Sequence, residues 1–257
     1  MVKHIISFVI RKVPRKHLQL FSHFALRMMK VFYIGNNVTC PVCDSNFREF
    51  VPYGRKPPRK NALCPNCLAL ERHRLLWLYL KNETDFFTKE AKLLHIAPEL
   101  CFIDRFEKIE SLEYITGDLE SPLAKVKMDI NEIPFEENSF DMVFCNHVME
   151  HIPDDIHAMK EVYRVLKPGG WAILQSPQDM NMQNTYEDPE ITDPKDREEH
   201  FKQSDHYRIY GLDYGERLEK GGFEVKEIPY PKQLDQEKVE RYALPKEEII
   251  YLCTKPE

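Results

Sequence analysis

The feature that most constrains the fold is a series of short apolar runs between residues 92 and 177. Each run is rich in β-branched or aromatic residues and ends in a polar residue or a turn. Helical patterns separate several of them, and this alternation is typical of βαβ units and a parallel sheet. Because ligands of such sheets bind beyond the carboxyl ends of the strands, the residues that follow each strand are candidates for a binding site.

These runs predict five strands, at residues 93–96, 112–116, 125–128, 141–145 and 171–175. Helices are expected at 99–109 and 154–166, with Lys167-Pro-Gly-Gly170 ending the second one. A helix at 211–220 and two strands at 223–228 and 248–254, the last antiparallel, follow. The pattern predicts an α/β fold with a Rossmann-like, seven-stranded, mostly parallel sheet and helices on both faces. The polar stretch 178–204 is a candidate lid or substrate loop.

The charge of the 257-residue chain is unevenly divided. Residues 1–75 carry 14 Lys or Arg against 3 Asp or Glu, a net charge of +11. The remainder carries 22 against 39, a net charge of −17. A basic front end predicts an anionic partner, either RNA or a membrane surface. The alternative is that two halves of opposite charge pack against each other.

Residues 1–36 are predicted to form a basic amphipathic helical segment. Residues 1–33 hold seven Lys or Arg and no acidic residue. One apolar stripe recurs at helical spacing, at Leu18, Phe21, Ala25, Met28 and Phe32. Membrane-interface binding, docking on the main domain and RNA contact are alternative roles. The apolar run 5–10 is too short to span a membrane and no signal cleavage site follows it, so we expect a cytoplasmic protein, with peripheral membrane association as one of these alternatives.

Two Cys-x-x-Cys pairs predict a small zinc ribbon, which with a linking helix occupies residues 37–82. The four cysteines are Cys40, Cys43, Cys64 and Cys67. A two-residue spacer lets both thiolates of a pair reach one face of a tetrahedral ion, and four protein ligands predict a structural role for the zinc. The other three cysteines lie in apolar segments, which suits a reducing compartment. The sheet domain is thus preceded by a basic helix and a zinc ribbon.

Three stretches together resemble the class I S-adenosylmethionine-dependent methyltransferases, over about residues 92–255. They are Asp129 with Ile133-Pro-Phe-Glu-Glu-Asn-Ser-Phe-Asp141, Asn146-His-Val-Met-Glu-His-Ile152, and Glu161-Val-Tyr-Arg-Val-Leu-Lys-Pro-Gly-Gly170. They occur in the family's order and at its spacing, which makes 83–257 the predicted methyltransferase domain. The resemblance implies S-adenosylmethionine as cofactor and transfer of a methyl group from its sulfonium.

The resemblance also implies roles for the residues that end the strands. Asp118 would accept hydrogen bonds from both ribose hydroxyls. The backbone of Asp129 and Ile130 would line the adenine, with the Asp129 carboxylate near the exocyclic amine. Asn146 and His147 would lie beneath the methionine part of the cofactor and face the substrate.

The turn after the first strand departs from the family's glycine-rich pattern. It reads His95-Ile-Ala-Pro-Glu99, and no glycine lies between Gly54 and Gly117. Ala97 is small enough for a close approach of the cofactor, whereas Pro98 lacks a donor N–H. We expect His95 and Ala97 to line the cofactor and Glu99 to pair with its ammonium group. The alternative is a degenerate site that no longer binds cofactor.

A second resemblance concerns Asp205-His-Tyr-Arg-Ile-Tyr210, which is similar to a segment that borders the active site in some members. It makes His206 and Asp205 candidate general bases beside His147, and Arg208 a candidate for holding an anionic substrate group. The alternative is that this aromatic-rich segment only packs. His147 and His151 stand at i and i+4 but lack a third metal ligand, so a structural role at a helix start is expected for His151.

The leading hypothesis is therefore an S-adenosylmethionine-dependent methyltransferase whose zinc ribbon helps to hold the acceptor. A small molecule, a glycan or a lipid-linked intermediate is slightly favoured over RNA, because the acidic body is unlike a broad phosphate-binding surface. The alternative is a non-catalytic zinc-ribbon binding protein with a degenerate methyltransferase fold. A nicotinamide-dependent oxidoreductase is disfavoured because its pyrophosphate requires the glycines that this turn lacks.

Overall fold

The computed structural model describes residues 28–54 and 57–257. Most of the expected basic helix, residues 1–27, lies outside the described residues. The chain divides into two compact units. The first comprises Met1–Asp85, Glu99–Arg105 and Tyr230–Glu248, and the second comprises Phe86–Pro98, Phe106–Pro229 and Ile249–Glu257. The first unit therefore takes in two later stretches of chain, and the boundaries at residues 36 and 82 stay a prediction.

Thirteen strands and six α-helices lie within the described residues. The strands are β1 Ile34–Cys40, β2 Ser45–Phe47, β3 Val51–Tyr53, β4 Arg59–Leu63, β5 Ala91–Ile96, β6 Leu112–Asp118, β7 Val126–Lys127, β8 Phe140–Asn146, β9 Leu166–Gln175, β10 Tyr186–Glu187, β11 Arg208–Ile209, β12 Glu224–Ile228 and β13 Ile250–Thr254. The helices are α1 Glu71–Glu83, α2 Leu100–Phe106, α3 Asp155–Val165, α4 Pro194–Phe201, α5 Tyr214–Glu219 and α6 Gln236–Arg241. Short 3-10 helices span Met29–Tyr33, Met149–His151 and Tyr230–Gln233.

The first unit is built from two antiparallel hairpins, β1 with β2 and β3 with β4. Its most buried charged side chain is Arg74 of α1, which is fully inaccessible to solvent. A buried guanidinium needs an acceptor for each N–H group. Arg74 finds backbone carbonyls in three parts of the unit, at Asn61, Ala62, Ala69, Tyr242 and Ala243. Burial lowers the pKa of this guanidinium, and the carbonyls tie β4, the turn before α1 and the segment after α6 together.

The second unit contains the expected seven-stranded sheet, in the order β12-β13-β9-β8-β5-β6-β7. Only β13 runs antiparallel to its neighbours, β12 and β9. The other pairs are parallel. The α/β fold with a mostly parallel, Rossmann-like sheet is thereby confirmed. The core contains Leu94, Val143 and Leu174 of the central strands and Ala158 and Val162 of α3, all fully buried.

The structure corrects two details of the expected elements. Lys167-Pro-Gly-Gly170 does not separate helix from strand, because β9 begins at Leu166, directly after α3. Pairing with β8 moves from Leu166 opposite Phe140 to Trp171 opposite Met142, so the extra residues form an irregularity in β9. The third parallel strand is only two residues long.

The polar stretch 178–204 has structure of its own. It contributes β10, which pairs antiparallel with β11, and the helix α4. Asp193 accepts a hydrogen bond from the Lys195 amide and so caps α4, and proline follows it at the helix start. A role of this stretch as a lid stays a prediction. Among the described residues, no helix is both long and apolar enough to cross a membrane.

Candidate functional site

The four cysteines of the two pairs converge within the first unit. Their sulfur atoms all lie within 4.8 Å of one another. Cys40 Sγ and Cys67 Sγ are 3.6 Å apart, and Cys43 Sγ and Cys64 Sγ are 3.7 Å apart. Four thiolates at about 2.3 Å from a central zinc form a tetrahedron with edges of about 3.8 Å. The spacing of the sulfur atoms therefore fits a tetrahedral ion.

The backbone around the two pairs repeats the same unusual conformation. Asp44 follows the first pair with φ of 51°, and Leu68 follows the second with φ of 64°. A bulky residue such as leucine rarely adopts positive φ, so the turn that orients the sulfur atoms imposes this conformation. The geometry thus provides a four-cysteine cluster whose spacing suits a metal ion.

In the second unit, the carboxyl ends of the parallel strands meet at one edge of the sheet. Ile96 of β5 pairs in register with Gly117 of β6 and with Cys145 of β8. Asn146 at the end of β8 pairs with Gln175 at the end of β9. The register therefore aligns Ala97 with the ends of β6 and β8, as expected for a binding edge in this kind of sheet.

The turn after β5 keeps a glycine-like conformation without glycine. Ala97 has φ of 50°, in the left-handed region that glycine populates most easily. Its amide donates to the carbonyl of Gly117 at 2.9 Å, which fixes the turn against β6. The turn thus holds a left-handed residue without glycine, and strain of this kind is concentrated at functional sites.

The side chains flanking this turn have partners that the sequence did not predict. His95 is fully buried in β5, and its Nδ1 is 2.8 Å from the hydroxyl of Tyr114. Any contact of His95 with a cofactor would therefore be made by its backbone. Glu99 belongs to the first unit, where its Oε1 lies 3.8 Å from Nε2 of His73. Its pairing with a cofactor ammonium stays a prediction.

The two predicted acidic residues each hold their own turn. Asp118, at the end of β6, accepts hydrogen bonds from the amides of Glu120 and Ser121 at 2.7 and 2.6 Å. Both bonds go to Oδ1, and among the described residues Oδ2 accepts none. Asp129 Oδ1 accepts from the amide and the side chain of Asn131. The chain after β6 and near Asp129 is therefore fixed by the carboxylates that were predicted to bind the cofactor.

The residues that follow Asp129 line an open groove. Its volume is about 590 Å³, and its lining runs from Lys127 to Asp129 and from Glu132 to Glu136. Ile130 itself is buried in the core of the unit. Contact of Ile130 with an adenine would therefore use its backbone, as the resemblance implies.

A second strained position ends β8. Asn146 is buried there, and His147 follows it with φ of 57°. The His147 amide donates to the carbonyl of Gln175 at 2.7 Å. The imidazole Nδ1 lies 3.7 Å from Oε1 of Glu150, a carboxylate that is almost entirely buried. Positive φ at both Ala97 and His147 marks the carboxyl edge of the two central strands as the candidate active site.

The segment 205–210 runs beside the turn after β8. The Tyr207 amide donates to the carbonyl of Glu150 at 2.9 Å, and His151 Nδ1 lies 3.4 Å from Asp205 Oδ2. The rings of His151 and His206 pack edge to face, 4.6 Å apart. The structure thus brings the candidate catalytic residues His147, Asp205 and His206 together around Glu150 and His151. The sequence assigned no role to Glu150, although it stands inside the Asn146–Ile152 motif.

Arg208 holds this arrangement in place and is not exposed for binding a substrate group. Its side chain is 3% exposed and donates to the carbonyls of Met149, Ile152 and Pro153. It also donates to the Glu187 carboxylate at 2.8 Å, which links β10 to the turn after β8. The backbone after β8 turns its carbonyls toward the guanidinium. The N–H groups of Arg208 therefore donate to acceptors within the protein. The expected role in binding an anionic substrate gives way to a positioning role.

Comparison with known proteins finds similarity to methyltransferases over part of the chain. Residues 100–174 match the sequence profile of the methyltransferase domain family. Over 133 residues the chain is 37% identical to the tRNA U34 carboxymethyltransferase of Nautilia profundicola, covering 52% of this chain and 41% of that protein. Over 67 residues it is 49% identical to the demethylmenaquinone methyltransferase of Staphylococcus aureus strain Newman, covering 25% of this chain and 28% of that protein. The chain spans less than half the length of either curated relative.

The chain also resembles solved structures. One is phosphoethanolamine N-methyltransferase 2 of Haemonchus contortus in complex with S-adenosyl-L-methionine, with a TM-score of 0.46 and 17% sequence identity. That alignment covers 72% of this chain and 52% of the other. The residues matched by the methyltransferase-domain profile run from α2 to β9 and so include β6, β7 and β8 of the seven-stranded sheet.

Proposed function

We propose that the chain is an S-adenosylmethionine-dependent methyltransferase. The observation that carries the proposal is the left-handed Ala97 at the end of β5, held by the Gly117 carbonyl beside Asp118. A turn of this shape lets backbone approach a ligand closely, and Ala97 adds only a methyl group. The profile match over residues 100–174 supports the same cofactor class.

The residues at this edge fit the cofactor that the family uses. S-adenosylmethionine supplies a methyl group on a sulfonium, which needs little further activation. Asp118 accepts ribose hydroxyls through Oδ2, since its Oδ1 is committed to the turn amides. Asn146 and His147 orient the methionine part from the end of β8. The imidazole of His147 or His206, or the Asp205 carboxylate, takes the proton of an acceptor that must lose one.

The proposed acceptor is a small molecule, a glycan or a lipid-linked intermediate rather than RNA. Residues 76–257 carry the net charge of −17, and phosphate-driven RNA binding favours a broad basic surface. The basic residues of 1–75 are proposed to contact a membrane surface peripherally, in a cytoplasmic protein. Competition between lipid extract and total RNA as methyl acceptors decides between the two classes.

A structural zinc ion in the four-cysteine cluster completes the proposal. The cluster offers four sulfur atoms at tetrahedral spacing and no position for a substrate, which is the arrangement of structural zinc. Its role is to fold the two hairpins of the first unit.

The experiment is calorimetric titration of the zinc-loaded chain with S-adenosylmethionine and, separately, with its demethylated product. Binding of both at about micromolar affinity is expected. Asp118→Ala should weaken both by about 100-fold, because it removes two hydrogen bonds to a charged acceptor. Glu120→Ala, a change in the exposed neighbouring residue, is the matched control and should bind like the wild type.

Asp118→Asn separates the cofactor role from the turn, since it keeps an oxygen for the amides of Glu120 and Ser121. If the folded wild-type chain binds neither ligand, the proposal fails. The non-catalytic zinc-ribbon binding protein then becomes the better account.

A further inference from the structure

We propose that Glu150, His151 and His206 form a second metal site, for a divalent transition-metal ion. One ligand atom from each residue lies within 4.8 Å of the other two. Two imidazoles and one carboxylate are a set that binds ions such as Zn²⁺, Fe²⁺ or Co²⁺, in preference to the all-oxygen sets of Mg²⁺ and Ca²⁺. In the sequence, His147 and His151 lacked a third ligand; the fold supplies Glu150 and His206.

The Glu150 carboxylate is held as a ligand rather than as a surface acid. The residue is 2% exposed. Its Oε2 accepts a hydrogen bond from Ser176 Oγ at 3.0 Å, and the Tyr214 hydroxyl lies 3.4 Å from that Oγ. Oε1 remains directed to the imidazoles, 3.9 Å from His151 Nε2 and 3.7 Å from His147 Nδ1. A carboxylate that is buried among imidazoles is stabilised by a cation between them.

The second histidine is oriented in the manner of a metal ligand. His151 Nδ1 faces Asp205, 3.4 Å from Oδ2 and 3.3 Å from the backbone carbonyl. A proton on Nδ1 that is shared with these oxygens leaves Nε2, the nitrogen nearest Glu150, as the ligand atom. A carboxylate behind a ligating histidine fixes its tautomer and raises its basicity. Asp205, expected to be a general base, would then be a positioning residue for His151.

The ligand atoms must move closer together to bind an ion. Metal–ligand distances of about 2.0–2.2 Å place tetrahedral ligand atoms about 3.4 Å apart. The 3.9 Å between Glu150 Oε1 and His151 Nε2 must shorten by roughly half an ångström, and a pair at the 4.8 Å limit by roughly 1.4 Å. Glu150 and His151 are adjacent residues of the 3-10 helix Met149–His151. His206 is held beside them because the amide of the next residue, Tyr207, donates to the Glu150 carbonyl. The three ligands therefore need only side-chain adjustment.

Three protein ligands leave at least one coordination position open, unlike the four-cysteine cluster. The side chains of His151 and Asp205 are 33% and 69% exposed, so that position is reached from solvent.

Metal binding at this site does not depend on methyl transfer. A chain that binds metal but no S-adenosylmethionine would retain this inference and lose the proposed function.

The test is cobalt titration of the full chain with its four-cysteine cluster already loaded with zinc. We expect about one further equivalent of Co²⁺, with visible d–d absorption and no thiolate-to-cobalt charge-transfer band, because no sulfur is among the ligands. Glu150→Gln and His206→Ala should each weaken cobalt binding by at least tenfold. Asp205→Asn, which alters only the group behind His151, should weaken it by about tenfold.

His200→Ala is the matched control, since it removes an exposed histidine that is not part of the cluster. It should bind cobalt as the wild type does. Zinc content and thermal unfolding verify that each variant is folded, and Glu150→Gln carries the test where His206→Ala fails to fold. The inference is overturned if the zinc-loaded wild type takes up no cobalt. It is also overturned if cobalt enters only with a thiolate band, or if folded Glu150→Gln binds it unchanged.

Discussion

Four non-glycine residues with positive φ stand at the two candidate sites. Asp44 and Leu68 follow the cysteine pairs, and Ala97 and His147 follow the two central strands. Each such residue costs on the order of 1–2 kcal/mol relative to an ordinary conformation. These conformations persist because hydrogen bonds of the surrounding turn fix the backbone, as the bond from the Ala97 amide to the Gly117 carbonyl does.

Substitutions of Ala97 test this strain directly. Ala97→Gly should leave the free energy of unfolding unchanged or slightly higher, because glycine adopts φ of 50° without a steric cost. Ala97→Val should lower it by about 2 kcal/mol, since a β-branched residue tolerates positive φ poorly. The measurement is urea unfolding at equilibrium.

Ala158→Gly in α3 is the control for the glycine change. It should cost about 1 kcal/mol or more, as glycine does inside a helix. An Ala97→Gly variant that is destabilised as much as Ala158→Gly would contradict the interpretation of the turn.

At the scale of elements, α3 fixes the turn that leads into β8. Glu161 of α3 accepts a hydrogen bond from the Ile133 amide at 3.0 Å and two from Arg164. Arg164 in turn donates to the carbonyls of Ile133 and Phe135. One helix surface thus satisfies both the donor and the acceptors of the preceding loop. This pairing connects the loop 133–135 to α3.

The Glu161 contact makes stability depend on pH. Hydrogen bonding with Arg164, outweighing the opposing effect of burial, lowers the pKa of Glu161 below its ordinary value. The carboxyl group of an unfolded glutamate has a pKa of about 4.3, so the stabilisation by the ionised Glu161 is fully present above that pH. It is lost as the pH falls through the lower pKa of the folded chain. Glu161→Gln should therefore cost about 2 kcal/mol at pH 7 and progressively less toward pH 3.

Urea unfolding of wild type and variant across this pH range measures the difference. Glu237→Gln, an exposed change in α6, should give no pH-dependent difference. A constant difference for Glu161→Gln down to pH 3 would mean that its charge does not stabilise the loop.

At the scale of the whole molecule, the two units are stabilised by different means. The sheet of the second unit is covered by a continuous apolar core. The hairpins of the first unit are short, with β2 and β3 only three residues each. The apolar cluster of this unit is smaller, comprising Val51, Ala62, Leu63, Leu68 and Leu70. The proposed zinc ion and the carbonyl contacts of Arg74 are therefore expected to contribute more of the stability of this unit.

Zinc removal should therefore unfold the hairpins. Chelation is expected to increase hydrogen exchange of the β1–β4 amides by orders of magnitude, because the protecting fold is lost. Serine at any one of the four cysteines should abolish tight zinc binding, whereas Cys253→Ser, a change in the sheet, should retain it. Retained protection of β1–β4 in metal-free chain would contradict the structural role of zinc.

Part of this protein could be determined from its sequence because the signals are local. Alternating apolar runs and helical patterns predicted the parallel sheet, since strand and helix periodicity depend on near neighbours. The two cysteine pairs predicted the cluster because a two-residue spacer lets both sulfur atoms of a pair reach one ion. Asp118 and Asn146 end β6 and β8, as the strand pattern predicted, whereas their contacts with a cofactor stay a prediction.

Only the tertiary structure decided how distant stretches combine. Glu99–Arg105 and Tyr230–Glu248 join the first unit through contacts that no local pattern predicts. The left-handed Ala97 is imposed by the Gly117 carbonyl, so its residue type gave no signal. Arg208 is buried because it meets the carbonyls after β8, and His206 meets Glu150 and His151 through the same docking. Side-chain roles of this kind depend on partners far along the chain, and only folding brings those partners together.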